Sequence, residues 1–472
     1  MVVGAQATEV DLVVIGSGPG GYVAAIRAAE LGKKVTIIEK DNVGGVCLNI
    51  GCIPSKALIN VGHHYQESLE EQKGENPFGL SVKNVELDWS AAQKWKDEKV
   101  VNQLTGGVKM LLKKHKIDVI KGTAEFVDNN TINVEQEDGF QLLQFNDVII
   151  ATGSRPIEIP PFPFGGRIID STGALSLPEV PKHLIIVGGG VIGSELGGAY
   201  RMLGSKITIV EGLDHILNGF DKEMSDIIAN RVKSAGSEIF TSAMAKSAVQ
   251  TDKDVTLTFE VDGKEQTVTG DYLLVSVGRR PNTDLIGLNN TDVKLTDRGL
   301  IEVDDSYATN VPHIYAIGDV VPGPMLAHKA SFQAKVAAAA IAGAEDDVDL
   351  HVALPAVAYT TTELATVGET PDSVKERKDV KISKFPFAAN GRAISMNDTT
   401  GFLRLITETK EGAIIGAQIV GPGASDLISG LSLAIENGLT SKDISLTIQP
   451  HPTLGEAIMD TAELADGLPI HV

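Results

Sequence analysis

Both cysteines of the chain, Cys47 and Cys52, lie in residues 44–56, which read Gly-Gly-Val-Cys-Leu-Asn-Ile-Gly-Cys-Ile-Pro-Ser-Lys. Pro54 is typical of an early helical position, so Cys52 is predicted at a helix N-terminus, where the helix dipole favours a thiolate. Lys56 follows four residues later and is predicted on the same helical face. The glycine before Cys52 permits a tight turn, which brings the two Cα atoms within the roughly 4.4–6.8 Å that a disulfide requires. The segment therefore predicts a cysteine pair that can form a disulfide.

Two other uses of a cysteine pair are weaker explanations. A zinc site needs about four ligands, and no second ligand pair lies near Cys47 and Cys52. A structural disulfide that closes so short a loop removes little entropy from the unfolded chain. Disulfides of intracellular proteins are usually catalytic or redox-sensing. The spacing therefore favours a redox-active pair over a zinc site or a structural disulfide.

Length and charge limit the class of protein. A chain of 472 residues is too long for one hydrophobic core, so about three or four domains are expected. The net charge of -21 opposes binding to nucleic acid or to an anionic membrane surface. We expect no apolar stretch near the roughly 18 residues of a membrane span, and residues 1–10 lack the form of a signal peptide. A soluble, cytoplasmic protein is expected, and its 2 cysteines agree with a reducing compartment.

A dinucleotide-binding fingerprint precedes the cysteines. The apolar residues 11–15 are typical of a buried parallel strand, and an Ala-rich helix is predicted over 22–31. The turn between them contains Gly16, Gly18 and Gly21. A second predicted strand, 34–38, ends at Glu39. The glycines allow close approach of a pyrophosphate to the helix N-terminus, and the acid accepts a hydrogen bond from a ribose hydroxyl.

The same unit occurs a second time. A predicted strand at 183–187, a helix that ends near residue 203 and a strand at 206–210 lead to Glu211. The glycines of this second unit are Gly188, Gly190 and Gly193. The strand endings Val-Thr-Ile-Ile-Glu and Ile-Thr-Ile-Val-Glu are closely similar. One chain is therefore predicted to contain two dinucleotide sites.

Three further apolar runs end in glycine turns. Residues 147–153 and 271–278 are similar to each other and are predicted to be the matching exits of the two domains. A third run, 314–319, places Asp319 at the carboxyl end of a sheet, where doubly wound folds bind their ligands. Asp319 is therefore predicted to accept a hydrogen bond from a flavin ribityl hydroxyl.

Together, these motifs resemble the flavoprotein pyridine nucleotide-disulfide oxidoreductase family over nearly the full length of the chain. Within that family, the cysteine segment and the motifs Pro-Met-Leu-Ala-His-Lys at 324–329 and Gln-Pro-His-Pro-Thr-Leu-Gly-Glu at 449–456 are most similar to the members that oxidise dihydrolipoamide. The resemblance implies FAD at the first fingerprint, NAD at the second, and a disulfide beside the flavin. Hydride then passes between the thiol chemistry and the nicotinamide.

The resemblance also implies which residues contact the cofactors. The FAD contacts are expected at Gly16, Gly18, Gly21, Glu39, Gly45, Lys56, Gly153, Asp319 and Ala327. The NAD contacts are expected at Gly188, Gly190, Gly193, Glu211 and Gly278. Lys56 and Glu195 are expected to form an ion pair beside the flavin. The chain departs from the family's usual pattern at 331–333, which lack acidic residues, and at Gly455, which replaces a frequent serine.

A catalytic base is required because only a thiolate can attack a disulfide sulfur. His451 suits this role since imidazole titrates near neutral pH. Glu456, five positions on, is predicted to hold the other ring nitrogen and stabilise the imidazolium. In the resembling family, Cys47 exchanges with the substrate and Cys52 contacts the flavin.

The nearest alternative is an NADPH-dependent reductase of glutathione, mercuric ion or a related disulfide. Glu211 opposes it, because a carboxylate repels a 2′-phosphate and residues 212–215 offer no arginine to bind one. The absence of a further C-terminal cysteine pair also disfavours mercuric or thioredoxin reduction. A flavin-bearing redox sensor without turnover would leave His451 and Glu456 unexplained.

The expected fold class is α/β, with two Rossmann-like dinucleotide-binding domains plus a C-terminal α+β dimerisation domain. The predicted domains are an FAD-binding domain with the redox-active disulfide at 1–155, an NAD-binding domain at 156–281, a central domain that completes the FAD site at 282–352, and a C-terminal dimerisation domain at 353–472. A helix of small residues is also predicted over 333–344.

The resemblance implies partners as well. A homodimer is expected, in which His451 and Glu456 serve the cysteines of the opposite subunit. Lipoyl domains and the acyltransferase core of a 2-oxo acid dehydrogenase complex are the expected protein partners, and neither nucleic acid nor membrane is expected. Because the chain starts almost directly at the first predicted strand, the substrate is expected to arrive on another protein or as a free small molecule.

Overall fold

The computed structural model describes residues 7–344 and 353–471, so the ends of three predicted domains, at 1–6, 345–352 and 472, lie outside the described residues. The strands are, in chain order, β1 (Thr8–Ile15), β2 (Val35–Glu39), β3 (Asp118–Lys121), β4 (Thr123–Phe126), β5 (Thr131–Gln136), β6 (Gly139–Ile150), β7 (Ser154–Pro156), β8 (Ile168–Ile169), β9 (His183–Val187), β10 (Lys206–Val210), β11 (Glu238–Phe240), β12 (Ala243–Gln250), β13 (Val255–Val261), β14 (Lys264–Gly270), β15 (Tyr272–Val275), β16 (Arg279–Pro281), β17 (Ile314–Ala316), β18 (Ala356–Ala358), β19 (Leu364–Gly368), β20 (Val380–Pro386), β21 (Phe402–Glu408) and β22 (Ile414–Val420).

The α-helices connect these strands, and short 3₁₀ turns and one π-helical segment accompany them. The α-helices are α1 (Pro19–Glu30), α2 (Gly45–Ile50), α3 (Cys52–Lys73), α4 (Trp89–Trp95), α5 (Asn102–Lys114), α6 (Ser171–Leu175), α7 (Val191–Met202), α8 (Lys222–Ser234), α9 (Ala327–Ala342), α10 (Gly391–Ser395), α11 (Ala424–Glu436), α12 (Ser441–Ser445) and α13 (Glu456–Asp466). The π-helical segment is Lys96–Val101, and the 3₁₀ turns are Leu288–Asn290, Gly318–Val320 and Phe387–Ala389.

The described residues form two compact units, and the first contains 7–57, 91–157 and 278–344. Its main sheet has the order β3-β2-β1-β6-β5-β4, and β17 also pairs with β6. The strands β1, β2, β3 and β17 run parallel within this sheet, whereas β4, β5 and the first half of β6 pair antiparallel. A separate antiparallel pair joins β7 and β16.

Register in the first unit brings several chain turns to one edge of the sheet. Ile15 pairs with Ile38 on one side and with Ile150 on the other, and Ala316 also pairs with Ile150. The residues that follow these strands therefore leave the sheet at the same carboxyl edge. Ligands of doubly wound folds bind at such an edge.

The second unit contains residues 58–90, 158–277 and 353–471. A parallel five-stranded sheet has the order β11-β10-β9-β15-β8, and an antiparallel three-stranded sheet has the order β12-β13-β14. In the parallel sheet, Val187 pairs with both Val210 and Val275, so three turns again leave at one carboxyl edge. The predicted repetition of the dinucleotide-binding unit is therefore present in the backbone.

The C-terminal part of the second unit is an α+β structure, as predicted. An antiparallel sheet has the order β18-β19-β22-β21-β20. Buried apolar residues of β21 and β22 pack against α11 and α13 in one core, including Leu403, Ile419, Ile428 and Ala457. Other residues of the same sheet, Leu364, Phe402 and Val420, belong instead to the core of the second unit's parallel sheet.

Helix α9 overlaps the predicted helix of small residues at 333–344, but it begins at Ala327, six residues earlier than expected, and ends at Ala342, two residues earlier. Its small side chains allow close packing against α1, since a Cβ built at Gly20 would lie 3.3 Å from the Cβ of Ala330. Small residues on both helices therefore explain the contact.

One expectation from composition is wrong. The helical segment Gly45–Lys73, which comprises α2 and α3, is long and apolar enough to cross a membrane by length and composition alone. Part of this segment is buried in the protein, since Leu48 and Leu58 are 8% and 0% exposed, whereas Val46 and Ile50 are 38% and 40% exposed. A buried helix of a soluble protein passes the same test, so one such segment is weak support for a membrane span.

Candidate active site

The first fingerprint forms an open cradle at the N-terminus of α1. Gly16 has a φ of 96°, and a Cβ at this position would lie 2.5 Å from the carbonyl oxygen of Ala151. A Cβ at Gly18 would meet nothing within 4 Å, and no side chain caps α1 at this residue. The uncapped N-terminus of this helix and the free space beside Gly18 fit a pyrophosphate.

Glu39 ends β2 and turns back towards this cradle. Its Oε2 atom accepts hydrogen bonds from the Ser17 N–H at 2.9 Å and the Ser17 hydroxyl at 2.6 Å. Its Oε1 atom accepts a hydrogen bond from the Asp41 N–H at 2.8 Å. The carboxylate is thereby fixed at the edge of the sheet where a ribose hydroxyl is expected.

The second fingerprint repeats this geometry at the N-terminus of α7. Gly188 has a φ of 99° and a Cβ there would lie 2.5 Å from the carbonyl oxygen of Ser276, whereas the space beside Gly190 is open. No side chain caps α7 at Gly190. Glu211 Oε2 accepts from the Gly189 N–H at 2.5 Å, as Glu39 does from the equivalent N–H of the first fingerprint. The residues at both fingerprints fit a dinucleotide.

The cysteines lie beside the first fingerprint in the chain and form a close pair. Cys47 lies in α2, and Cys52 is the first residue of α3, as predicted. Both are free thiols that hydrogen-bond to each other, with Cys47 half-buried and Cys52 exposed. This hydrogen bond and burial raise the pKa of the Cys47 thiol, whereas the positive charge of Lys56 lowers it. The structure therefore holds the predicted pair as two thiols within reach of each other.

Other expected flavin contacts lie in the same unit. Gly45 packs closely on the first fingerprint, since a Cβ there would lie 2.6 Å from the Gly18 Cα. Gly153 follows β6 with a φ of 68°, and Ala327 is the first residue of α9. Asp319 lies in the 3₁₀ turn after β17, where its Oδ2 atom accepts a hydrogen bond from the Ser154 hydroxyl at 2.5 Å.

Of the remaining predicted residues, Gly21, Lys56 and Gly278 belong to the first unit, and the second unit contains Gly193, Glu195, His451 and Glu456. The carbonyl oxygen of Gly278 accepts a hydrogen bond from the Ile157 N–H at 3.0 Å. Glu195 lies in α7, is 5% exposed and accepts a hydrogen bond from the Tyr359 N–H at 2.9 Å. The ion pair between Lys56 and Glu195 stays a prediction.

His451 and Glu456 form the hydrogen-bonded pair that their spacing predicts. The distance between His451 Nδ1 and Glu456 Oε1 is 2.8 Å, and the Thr453 N–H donates to Glu456 Oε2 at 2.9 Å. Burial raises the pKa of Glu456, but these two hydrogen bonds outweigh it and the pKa lies below its usual range. The histidine side chain is 79% exposed, so its other ring nitrogen is accessible to a thiol.

Two family models cover most of the chain. The pyridine nucleotide-disulphide oxidoreductase model matches residues 10–334, and the dimerisation-domain model of the same family matches residues 354–462. The chain belongs to the pyridine nucleotide-disulphide oxidoreductase family. The predicted family and fold class are thereby confirmed.

Members of this family with high identity match the whole chain. Dihydrolipoyl dehydrogenase from Geobacillus stearothermophilus is 56% identical, over 100% of this chain and 99% of its own. Dihydrolipoyl dehydrogenase from Bacillus subtilis (strain 168) is 54% identical, over 100% of both chains.

Solved structures of the family are similar as well. LpdA from Mycobacterium tuberculosis has a TM-score of 0.89 and 27% identity, covering 96% of this chain and 99% of its own. The HOCl-induced flavoprotein disulfide reductase RclA from Escherichia coli has a TM-score of 0.85 and 28% identity, with the same coverage.

Sequence reasoning missed three polar residues near the expected flavin contacts. Ser154 and Arg279 begin the paired strands β7 and β16, and Lys329 lies in the first turn of α9. Their only sequence signal was position, since Ser154 and Arg279 directly follow the two exit glycines and Lys329 ends the motif at 324–329. The hydrogen bonds of Ser154 to Asp319, of Arg279 to Ser154 and of Lys329 to Pro322 depend on tertiary structure.

Proposed function

We infer that this chain oxidises dihydrolipoamide to lipoamide, with bound FAD and with NAD+ as the final electron acceptor. The close pair of Cys47 and Cys52 carries this inference, because a dithiol substrate requires a protein disulfide that can be formed and broken. The full-length identity to dihydrolipoyl dehydrogenases supports the same activity and the same two cofactors.

The two fingerprints hold the two dinucleotides in this proposal. FAD is held by Gly16, Gly18, Gly21, Glu39, Gly45, Lys56, Gly153, Asp319 and Ala327, and NAD by Gly188, Gly190, Gly193, Glu211 and Gly278. When bound, FAD supplies a carrier that moves two electrons between the cysteine pair and the nicotinamide. The Lys56–Glu195 ion pair would place a charge beside that carrier.

The cysteine pair, in its disulfide form, reacts with the substrate in two exchanges. His451 takes the proton of one substrate thiol, and the thiolate attacks Cys47, which forms a mixed disulfide and releases Cys52 as a thiolate. His451 releases this proton to solvent and takes the proton of the second substrate thiol, whose thiolate attacks the substrate sulfur bonded to Cys47 and releases Cys47 as a thiolate. The substrate leaves as a disulfide, and the protein pair has gained two electrons.

Each protein group stabilises one of the charges that form. The N-terminus of α3 and Lys56 stabilise the Cys52 thiolate, since Cys52 is the first helical residue. Glu456 holds Nδ1 of His451 at 2.8 Å and stabilises the imidazolium. Cys47 is therefore assigned to exchange with the substrate and Cys52 to contact with the flavin.

The proposed oligomeric state of this chain is the homodimer implied by its family. Residues 354–462 match the family's dimerisation domain, and exposed apolar residues of this region, such as Leu446 and Ile448 at 73% and 95% exposure, favour a homodimer. Lipoyl domains and the acyltransferase core of a 2-oxo acid dehydrogenase complex are the proposed partners, and the cytoplasm is the proposed location. The four-domain division, with limits at 155, 281 and 352, is part of the same proposal.

Turnover with two nicotinamide cofactors tests the function and its cofactor together. The purified holoenzyme is expected to reduce NAD+ with dihydrolipoamide, and kcat/KM for NAD+ should exceed that for NADP+ on the order of a hundredfold or more, because Glu211 repels a 2′-phosphate. The Glu211→Gln variant should lose about tenfold of this preference. NADH and NADPH absorbance measures both reactions.

The matched control for this variant is Glu265→Gln, which changes an exposed carboxylate on β14 of the same unit. It should leave the preference unchanged. Equal use of both cofactors by the unmodified enzyme, or turnover of glutathione in place of dihydrolipoamide, would contradict the proposed function.

A subunit-mixing experiment tests whether His451 acts across the dimer. Inactive Cys47→Ser and His451→Gln subunits are mixed under exchange conditions, so that half of the dimers become mixed dimers. If each site uses the base of the opposite subunit, every mixed dimer keeps one intact site, and about a quarter of the normal activity returns. Mass spectrometry of the dimers provides the control, and mixed dimers without activity would refute the shared site.

A further inference from the structure

Asp319 and Arg279, from separate chain segments, both contact Ser154, which is 2% exposed. The Ser154 hydroxyl donates to Asp319 Oδ2 at 2.5 Å. Arg279 Nε donates to the same hydroxyl oxygen at 2.8 Å, and Arg279 Nη2 donates to the Ser154 carbonyl oxygen at 2.6 Å. The antiparallel pairing of β7 with β16 fixes the backbones of Ser154 and Arg279 relative to each other. Asp319 is therefore linked through one hydroxyl to a guanidinium.

A buried lysine also contacts the chain that directly follows Asp319. Lys329 is 7% exposed and is the third residue of α9, where the helix dipole disfavours a cation. Burial lowers the pKa of Lys329, and the negative charge of Asp319 opposes this effect. Lys329 Nζ also donates to the carbonyl oxygen of Pro322 at 3.2 Å. The hydrogen bond to Pro322 therefore links this buried lysine to the chain three residues after Asp319.

Two hydrogen bonds made by side chains of α9, those of Lys329 and Gln333, hold this helix against the turn that contains Asp319. Gln333, one helical turn further along α9, accepts a hydrogen bond from the Gly318 N–H at 2.7 Å. Together with the contact between Lys329 and Pro322, this bond holds the turn at 318–322 against the start of α9. Asp319 and Ala327, both proposed flavin contacts, thereby keep a fixed relation to each other.

One oxygen of Asp319 remains available for a ligand. Its Oδ2 atom accepts a hydrogen bond from the Ser154 hydroxyl, and within residues 7–344 and 353–471 no N–H or O–H group donates to Oδ1. We propose that Lys329, together with Ser154 and Arg279, is a positioning residue that fixes the Asp319 carboxylate so that its second oxygen accepts a hydroxyl of bound FAD. This inference rests on the proposed function, which places FAD at the first unit.

Replacement of Lys329 by methionine tests this role, because methionine keeps the apolar stem and removes the charge. The apoprotein of Lys329→Met should bind FAD about tenfold or more weakly than the unmodified apoprotein, as measured by quenching of flavin fluorescence. Lys329→Arg keeps the charge and should bind within a few-fold of normal. Lys335→Met, at an exposed lysine of the same helix, is the matched control and should bind normally.

A double-mutant comparison separates positioning from a general loss of structure. If Lys329 acts through Asp319, the variant Asp319→Asn with Lys329→Met should bind FAD no more weakly than Asp319→Asn alone. Additive losses, or normal FAD affinity of Lys329→Met, would overturn the proposal. Circular dichroism of each apoprotein shows whether it is folded. FAD affinity is measured without a dithiol. A result that contradicts the role of Lys329 is therefore distinguishable from one that contradicts the proposed dihydrolipoamide activity.

Discussion

Replacement of Cys47 by serine is expected to abolish dihydrolipoamide turnover, with a loss of more than about a thousandfold in kcat. The variant cannot form the disulfide that accepts the substrate's electrons, because Cys52 is the only other cysteine of the chain. FAD should remain bound, since Cys47 is assigned to exchange with the substrate and is not among the residues proposed to hold FAD. The measurement is NADH formation from dihydrolipoamide, together with the flavin absorbance of the purified variant.

The same variant should still pass electrons from NADH to an artificial acceptor, because that reaction needs no cysteine. Cys52→Ser should show the same pattern, since either thiol alone is insufficient. Ser68→Ala, a substitution in the later part of α3, is the matched control and should keep full activity. Normal dihydrolipoamide turnover by either cysteine variant would exclude the disulfide mechanism.

Replacement of His451 by glutamine is expected to lower kcat for dihydrolipoamide by about 10²–10⁴-fold, the usual contribution of a general base. Glutamine cannot take up a proton, although it can accept a hydrogen bond from the thiol. Glu456→Gln should cost less, about tenfold, because it weakens a charge-assisted hydrogen bond of 2.8 Å without removing the base. Steady-state rates of NADH formation measure both losses.

His64→Gln, at an exposed histidine of α3, is the control for loss of an imidazole elsewhere. Transfer from NADH to an artificial acceptor should be normal in all three variants, since none changes a proposed flavin or nicotinamide contact. If His451→Gln slowed that transfer as strongly as it slows dihydrolipoamide turnover, the histidine would be a structural residue and not the base.

The sequence alone determined the local chemistry of this protein. Both fingerprints, with their acids Glu39 and Glu211, were predictable because the turn, the helix and the two strands lie within about 30 consecutive residues. The cysteine pair and the pair of His451 with Glu456 were predictable for the same reason, since each spans only five positions. The family resemblance connected these local motifs, and the family models and full-length relatives confirmed the fold class and the activity.

Element boundaries were less predictable where apolar runs did not mark them. Strand β6 begins at Gly139, before the apolar run at 147, because its first half pairs antiparallel with β5 and has an alternating pattern. The start of helix α9 at Ala327 was also missed. Its first turn contains a buried lysine, Lys329, and the composition of that turn does not indicate a helix start.

Tertiary structure decided the contacts between distant segments. Ser154, Arg279, Asp319 and Lys329 come from four stretches of the chain that meet because β7 pairs with β16 and α9 packs beside the turn after β17. It also decided that the apolar segment Gly45–Lys73 has residues buried in the protein core. Such contacts depend on which strands pair and which helices pack together. Local sequence periodicity does not predict this pairing, because the type of a side chain determines its chemistry but not which distant residues it contacts.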